Sequence, residues 1–280
     1  MKQIISSVDF YGISIAHIKE NISPEFWQNA PHKHNHCEIF IHLKGEMDIF
    51  VEKSFYHIQK NCIRVYNSNE LHYGKCSFAQ PMEWYQISIP CKYFSNPNHN
   101  AVSQVLYNRA PGEKNVFFSN QFQQIVQLLE ETFKQYQENT PLRYLYFQSA
   151  VTKVLCILNQ EDNNTSLLKQ KNKNLQKIID CVYSDFDKIS TVNDLSRLTF
   201  FSPSYIHKIF KECMNITPYR FICDKKLDEA KKLLLKGHSV TYACECAGFN
   251  NYTNFITLFK NTFGITPKKY QIINIKNKVL

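Results

Sequence analysis

Glycine is scarce in this 280-residue chain, with 7 in all. Loops that cradle phosphate groups need several glycines close together, so nucleotide-binding chemistry of the phosphate-loop kind has nowhere to be built. Arginine is scarcer still, 5 against 28 lysines. The 10 cysteines are scattered singly, as at Cys37, Cys62, Cys181 and Cys213, without the paired spacing of a zinc site. Cys244-Glu245-Cys246 is the one close pair, and one of its members falls at a core position of a short helix, where a buried thiol is the ordinary reading. No hydrophobic run approaches the ~20 residues that span a bilayer, and the stretch Met1 to Ser7 lacks an apolar core of signal-peptide length. A soluble, cytoplasmic protein without a membrane partner is expected. No nucleophile-base constellation stands out, so no enzymatic activity, no catalytic residue and no cofactor are expected.

What is present is an unequal charge and a repeat. Residues 168–280 carry 19 Lys plus Arg against 9 Asp plus Glu, while residues 1–167 carry 14 against 15. A basic C-terminal part joined to a neutral N-terminal part implies one polyanion-binding domain and one domain with another task. Within the basic part, Ile209-Phe210-Lys211 and Ile216-Thr217-Pro218 return as Leu258-Phe259-Lys260 and Ile265-Thr266-Pro267, each 49 residues on. The same offset pairs Leu195 with Cys244, Ile206 with Phe255, Asn215 with Gly264 and Phe221 with Tyr270. A fixed offset with matched apolar positions is one supersecondary unit used twice.

The unit is legible from its punctuation. Ser202-Pro203 is an N-cap followed by proline at the first helical position, and Ile206, Ile209 and Phe210 then recur on one helical face. Thr191 to Leu195 is a second capped start only a few residues upstream, so the pair reads as a helix-turn-helix. In the second copy Ser239 caps a short helix, Gly248 supplies a tight turn, and Asn250 or Asn251 caps the helix that carries Phe255, Leu258 and Phe259. Between the copies Thr217-Pro218 opens a helix of about 19 residues, a rod of roughly 28 Å. That length suits two recognition helices in neighbouring major grooves, about 34 Å apart.

Residues 175–272 resemble the DNA-binding domain of the AraC/XylS family of transcription regulators. The matching positions include Leu195, Ser202, Ile206, Phe210-Lys211, Leu227, Ala230, Leu233-Leu234, Gly248-Phe249, Phe255, Phe259-Lys260, Gly264 and Thr266-Pro267. Asn215 replaces the usual glycine, Lys226 the usual arginine, and the small Ala243 implies a looser core in the second unit. The resemblance implies double-stranded DNA as partner and leaves room for RNA polymerase and a small-molecule effector. With Ile206, Ile209 and Phe210 buried, Ser204, His207 and Lys208 face outward; the offset adds Thr253, Ile256 and Thr257, with Tyr252 beside them. Ile256 reads as a thymine-methyl contact or a packed residue, with packing favoured. Lys211 and Lys260 complete the expected DNA-binding set, and Arg197 and Arg220 fall outside the reading faces. An A·T-rich operator follows from those arginine-free faces.

Residues 1 to about 95 read as strands, among them Cys37–Leu43, Met47–Val51, Phe55–Ile58, Cys62–Tyr66 and Met82–Ile89. Within them His32, His34 and Glu38, followed by Gly45 and later His72, resemble the ligand motifs of a cupin barrel. On that resemblance the four side chains point into one cavity, which either binds a small molecule or holds a first-row divalent metal. The no-metal reading is preferred, and His36 and His42 are taken as ordinary barrel residues. A metalloenzyme of the cupin kind with a DNA-binding tail is the alternative function.

Residues 119–138 and the segment opened by Thr140-Pro141 read as two amphipathic helices, which the resemblance makes a homodimerisation element. The polar run 161–174 reads as a linker. The expected architecture is thus α+β in two domains: a sensory, cupin-like β-barrel with following helices (1–160), then an all-α domain with two helix-turn-helix units (175–272) and a tail (273–280).

Overall fold

The computed structural model describes residues 2–22, 31–161, 173–214 and 216–276. The linker expected at 161–174, the turn residue Asn215 and the end of the tail lie largely or wholly outside them. The chain divides into two compact units, Met1–Lys171 and Asn172–Leu280.

Among the described residues the first unit has nine strands: β1 (Lys2–Phe10), β2 (Ile13–Ile22), β3 (His36–Lys44), β4 (Met47–Val51), β5 (Ser54–Ile58), β6 (Cys62–Tyr66), β7 (His72–Lys75), β8 (Gln80–Pro90) and β9 (Val116–Phe118). They form a six-stranded sheet in the order β1-β2-β8-β3-β6-β9 and a separate three-stranded sheet, β5-β4-β7. All the ladders are antiparallel. Between β8 and β9 run two short helices, α1 (Pro97–Asn100) and α2 (Gln104–Tyr107), and after β9 come α3 (Phe122–Gln137) and α4 (Arg143–Gln160).

Strand alternation puts Ile39 and Ile41 of β3, Ile63 and Val65 of β6 and Ile87 of β8 on one face of the large sheet. That face shares a core with Ile125, Leu129 and Phe133 of α3 and Val151, Val154 and Leu158 of α4. The opposite face meets the small sheet through Phe40, Tyr66, Met82 and Trp84 against Met47, Ile49, Tyr56 and Ile58. The layers are therefore helices, large sheet, small sheet.

This arrangement corrects the expected closed barrel. The two sheets remain open and distinct, and the unit has no cupin fold. The reason lies in strand pairing. The edge of β6 is taken by β9, from a segment outside the run read as strands, while β7 pairs with β4. The expectation of a two-domain α+β chain with a helical C-terminal region stands without the barrel.

Among its described residues the second unit is helical: α5 (Lys173–Asp185), α6 (Val192–Thr199), α7 (Pro203–Met214), α8 (Pro218–Leu235), α9 (Val240–Cys246), α10 (Tyr252–Phe263) and α11 (Pro267–Lys276). The caps are side-chain oxygens accepting from the first turn, as from Asp194 N to Thr191, Tyr205 N to Ser202, Arg220 N to Thr217, Tyr242 N to Ser239 and Asn254 N to Asn251. Helices α7 and α10 are both 12 residues long, and their ends are 49 residues apart. Upstream of these helices the offset is 48: the N-caps are Thr191 and Ser239, and the left-handed turn residues are Phe200 and Gly248.

The small residues at α9 pack on aromatic side chains. Ala243, Cys244 and Ala247 are buried in one cluster with Phe255 and Phe259, against which Phe249, Phe263 and Tyr270 pack. Ring centroids 4.5 Å apart (Phe259–Phe263) and 5.0 Å apart (Phe249–Phe255) show how aromatic bulk occupies the space. Lys226 of α8 is buried, and its ammonium donates to the Gly248 carbonyl, which ties the connecting helix to the second turn.

Gly248 is required at that turn. Its φ is +76°, and a Cβ there would lie 2.7 Å from the Cα and the carbonyl oxygen of Asp187. Gly248→Ala is expected to destabilise the helical unit by about 2–4 kcal/mol, through left-handed strain and the clash together. Urea unfolding of the full chain followed by circular dichroism measures this.

Candidate functional site

The exposed faces of α7 and α10 are formed by what their buried faces leave over. Ile206, Ile209 and Phe210 of α7 are buried, as are Phe255 and Phe259 of α10. Ser204, His207, Lys208 and Lys211 are exposed on α7, and Tyr252, Thr253, Thr257 and Lys260 on α10. Ile256 is half-buried and packs on the aromatic cluster. The Thr257 hydroxyl donates back to the Thr253 carbonyl at 3.0 Å, so its methyl is the freer end. Lys208 has a loose neighbour in Glu212, at 3.9 Å. Arg197 pairs with Asp194 on α6, and Arg220 with Asp224 at 2.9 Å on α8. Neither arginine lies on α7 or α10.

Asn254 was not singled out from the sequence, yet it is exposed in the first turn of α10. The offset pairs it with Tyr205, and an amide is the side chain suited to adenine. Phe200 was missed as well. It stands in the left-handed region at φ 62°, 92% exposed, at the turn before α7.

In the first unit the structure brings His32, His34, Glu38 and His72 together without a barrel. An isolated antiparallel bridge joins His32 to His72 by two backbone hydrogen bonds of 3.1 Å. The Glu38 carboxylate, almost fully buried on β3, is the centre. Its Oε2 lies 2.8 Å from His34 Nε2 and 3.8 Å from His72 Nε2; its Oε1 lies 3.4 Å from His36 Nε2 and accepts from Gln86 Nε2 at 2.8 Å. His36, taken as an ordinary strand residue, therefore belongs to the cluster. Its ring stacks on that of His34 at 3.9 Å. The signal for it was strand parity, since His36 and Glu38 alternate onto one face of β3.

Ring-nitrogen partners define the charge states. His34 Nδ1 lies 2.8 Å from the His36 carbonyl and His72 Nδ1 2.9 Å from the Glu70 carbonyl, so both Nδ1 atoms carry protons. His34 Nε2 then meets a carboxylate oxygen with a lone pair unless it holds a second proton or shares a cation. Burial opposes charge on His34, but the hydrogen bond and charge of Glu38 outweigh it and raise its pKa. Burial likewise opposes the Glu38 anion, and the hydrogen bonds from His34 and His36 prevail to hold its pKa well below the carboxylate range. His72 is pushed down to about 3 by burial and by neighbouring His32, so it is neutral with Nε2 unprotonated.

The loop that presents His72 is fixed by Glu70. This buried carboxylate accepts from both terminal nitrogens of Arg109 at 2.7 Å, from Gly112 N at 2.7 Å and from Asn67 N at 2.8 Å. Among the described residues, His32, His34 and His72 form one group able to hold a metal ion, and His34, His36 and Glu38 a second.

The helix-turn-helix domain family matches residues 195–272. The chain is 25% identical over 149 residues to a probable transcriptional regulator, LumQ, of Photobacterium leiognathi, covering 53% of this chain and 58% of that protein. It is 32% identical over 126 residues to an HTH-type transcriptional regulator from the cgkA 5' region of Pseudoalteromonas carrageenovora, covering 42% of this chain and 75% of that one. The C-terminal domain of the response regulator yesN from Fusobacterium nucleatum is 27% identical and covers 36% of this chain and 99% of that domain, with a TM-score of 0.34. The matches to LumQ and to two further curated regulators span 58%, 38% and 37% of those proteins, about half of their length or less. No helix among the described residues is long and apolar enough to cross a membrane. The chain belongs to the HTH-type transcriptional regulators.

Proposed function

We propose that this chain is a sequence-specific transcription regulator, not an enzyme, that reads double-stranded DNA through α7 and α10 and answers a signal received by its N-terminal unit. The observation that carries the reading is the pair of 12-residue helices, 49 residues apart, whose buried faces match and whose outward faces are polar. Ser204, His207 and Lys208 read bases in the first copy, and Tyr252, Thr253 and Thr257 in the second. Lys211 and Lys260 contact phosphates. The connecting helix α8 has 18 residues, about 27 Å at 1.5 Å each, and suits two helices in successive grooves. Without an arginine on either face, guanine readout rests on Lys208, and an A·T-rich operator follows. Such a regulator works in the cytoplasm beside RNA polymerase.

Base readout and phosphate anchoring separate cleanly. Lys208→Ala is expected to cost about 1–3 kcal/mol on the operator and to relax preference at one G·C pair; equal weakening on every sequence, with a salt slope lowered by about one, identifies a phosphate anchor instead. Thr253→Ala with Thr257→Ala is expected to lower operator affinity more than affinity for random DNA. Competition binding at several salt concentrations reads both.

Assembly as a homodimer through residues 119–160 is the second element of the proposal. Most apolar residues of α3 and α4 are used in the unit's own core, which leaves Leu142 and Leu145 exposed at the start of the second helical segment. Leu142→Glu with Leu145→Glu is expected to shift the full chain from dimer to monomer in sedimentation without loss of helical signal.

His32, His34, Glu38 and His72 form the signal site in this reading. A second occupant is favoured by one observation: His34 and His72 both give Nδ1–H to backbone carbonyls, leaving Nε2 towards Glu38, as metal-ligating imidazoles do. A divalent first-row ion such as zinc would fit that donor set. Elemental analysis after dialysis against zinc is expected to give about one ion per chain in the wild type and none in His34→Ala; an equal count in both excludes this occupant.

A further inference from the structure

We propose that Cys37 and Cys91 of the N-terminal unit are a site of reversible oxidation, a dithiol that a hydroperoxide converts to a disulfide. The site stands on the geometry of that unit, and only its consequence for transcription rests on the regulator reading.

The two cysteines are brought together by one pair of strands. In the antiparallel ladder of β3 and β8, His36 lies opposite Pro90 and Cys37 opposite Ile89. The chain then leaves the ladder at Cys91, the first residue of the 3₁₀ turn Cys91–Ser95. There the two free thiols hydrogen-bond to each other, Cys37 donating to the Cys91 sulfur. Cys37 Sγ also lies 3.2 Å from the Tyr107 hydroxyl and 3.8 Å from Asn67 Oδ1, and Cys91 Sγ 2.9 Å from the Asn35 carbonyl. Sulfurs already in hydrogen-bond contact reach bonding distance by side-chain rotation.

Access assigns the order of events. Cys37 is fully buried and Cys91 half-buried, so a small oxidant meets Cys91 first. The thiolate is the reactive form. Hydrogen bonds from Cys37, and then from Ser68 and Tyr107, outweigh burial and lower the Cys91 pKa to about 5. Cys62 and Cys76 of the same unit show the ordinary behaviour, since burial raises them to about 11 and about 12.

In the first step the Cys91 thiolate attacks one peroxide oxygen. An S–O bond forms, the O–O bond breaks, and the second oxygen leaves as hydroxide, which becomes water on taking a proton. In the second step Cys37 sulfur attacks Cys91 sulfur, the S–S bond forms, and the S–O bond breaks. The departing hydroxide takes the Cys37 proton and leaves as a second water. The sulfur pair has then lost two electrons and the peroxide oxygens have gained them. A dithiol reverses the change by thiol–disulfide exchange. In a reducing compartment such a bridge is a transient, sensing one.

The bridge would act on the histidine cluster directly. Its formation removes the Cys91 thiol proton from the Asn35 carbonyl, between His34 and His36. It also removes the Cys37 donor from Asn67, whose backbone N–H holds Glu70 at 2.8 Å and so the loop that presents His72.

The test treats the reduced full chain with hydrogen peroxide, blocks the remaining thiols with iodoacetamide in guanidinium chloride, and maps the peptides by mass spectrometry with and without dithiothreitol. The expected main disulfide joins Cys37 to Cys91, with two of the ten thiols lost and both recovered on reduction. Cys37→Ser should halt at a Cys91 sulfenic acid that dimedone traps, and Cys91→Ser should slow oxidation of Cys37 at least about tenfold. The wild-type map decides even if a variant fails to fold. The proposal is overturned if Cys37 and Cys91 both remain alkylatable after peroxide, or if the main disulfide joins either of them to another cysteine or to a second chain. It is overturned equally if folded Cys91→Ser oxidises at Cys37 as fast as the wild type. Sequence preference in DNA binding by the reduced wild type is measured alongside. Its absence would sink the regulator reading alone, and absence of the bridge this proposal alone.

Discussion

Both faces of the six-stranded sheet are covered, one by helices and the other by the small sheet, and this constraint governs the N-terminal unit. A polar side chain on such a sheet has no water to turn to, so it must find a partner inside the protein or carry the cost of desolvation. The helix-side face meets the demand by being apolar, with Ile39, Ile41, Ile63, Val65 and Ile87 in a single row of strands. The inner face does not. It carries Glu38, Arg64, Tyr66, Trp84, Gln86 and His42 in adjoining registers. Around Glu38 the demand is met by imidazoles and Gln86; around Arg64 it is not met by the protein. The same face is thus satisfied at one end and deficient at the other.

Buried charge also holds the loop between β6 and β7. Glu70 and Arg109 are both almost wholly enclosed and paired through two hydrogen bonds, with backbone donors filling the remaining acceptor sites. Breaking such a pair leaves an uncompensated charge, so the loop has one well-defined arrangement. His72 inherits its place from that arrangement, because its Nδ1 bonds to the Glu70 carbonyl. Geometry at the histidine cluster therefore depends on a carboxylate that touches none of the candidate ligands with its own oxygens.

The C-terminal unit uses a different economy, in which local signals and core agree. Helices α6 to α10 begin at side-chain caps, and α8 packs on α7, α9, α10 and α11. A buried lysine reaches the Gly248 carbonyl, and the second turn is possible because glycine tolerates both the positive φ and the approach of Asp187. In the first copy Phe200 adopts the left-handed conformation with its ring in solvent, an arrangement for which the packing offers no compensation.

Sequence alone determined the helical half, because caps, proline at the first helical position and a 3.6-residue apolar period act within one turn of chain. The starts of α6, α7, α8, α9 and α10, and the exposure of Ser204, His207, Lys208, Thr253 and Thr257, were all readable in that way. Strands β4 and β6 were readable too, residue for residue, from their bulky runs between turn residues. What only the tertiary structure decided was which strand edges meet. β9 lies 50 residues beyond β6 and takes the edge through which a barrel would have closed, and nothing local in either strand declares that pairing. The same holds for side-chain company. The tight spacing of His32, His34, His36 and Glu38 made a cluster foreseeable, but the inclusion of His36 and the solitude of Arg64, within a strand that otherwise reads as core, depend on register across three strands. Register is set by long-range pairing, so the chemistry of the inner face became visible only once the sheets were assembled.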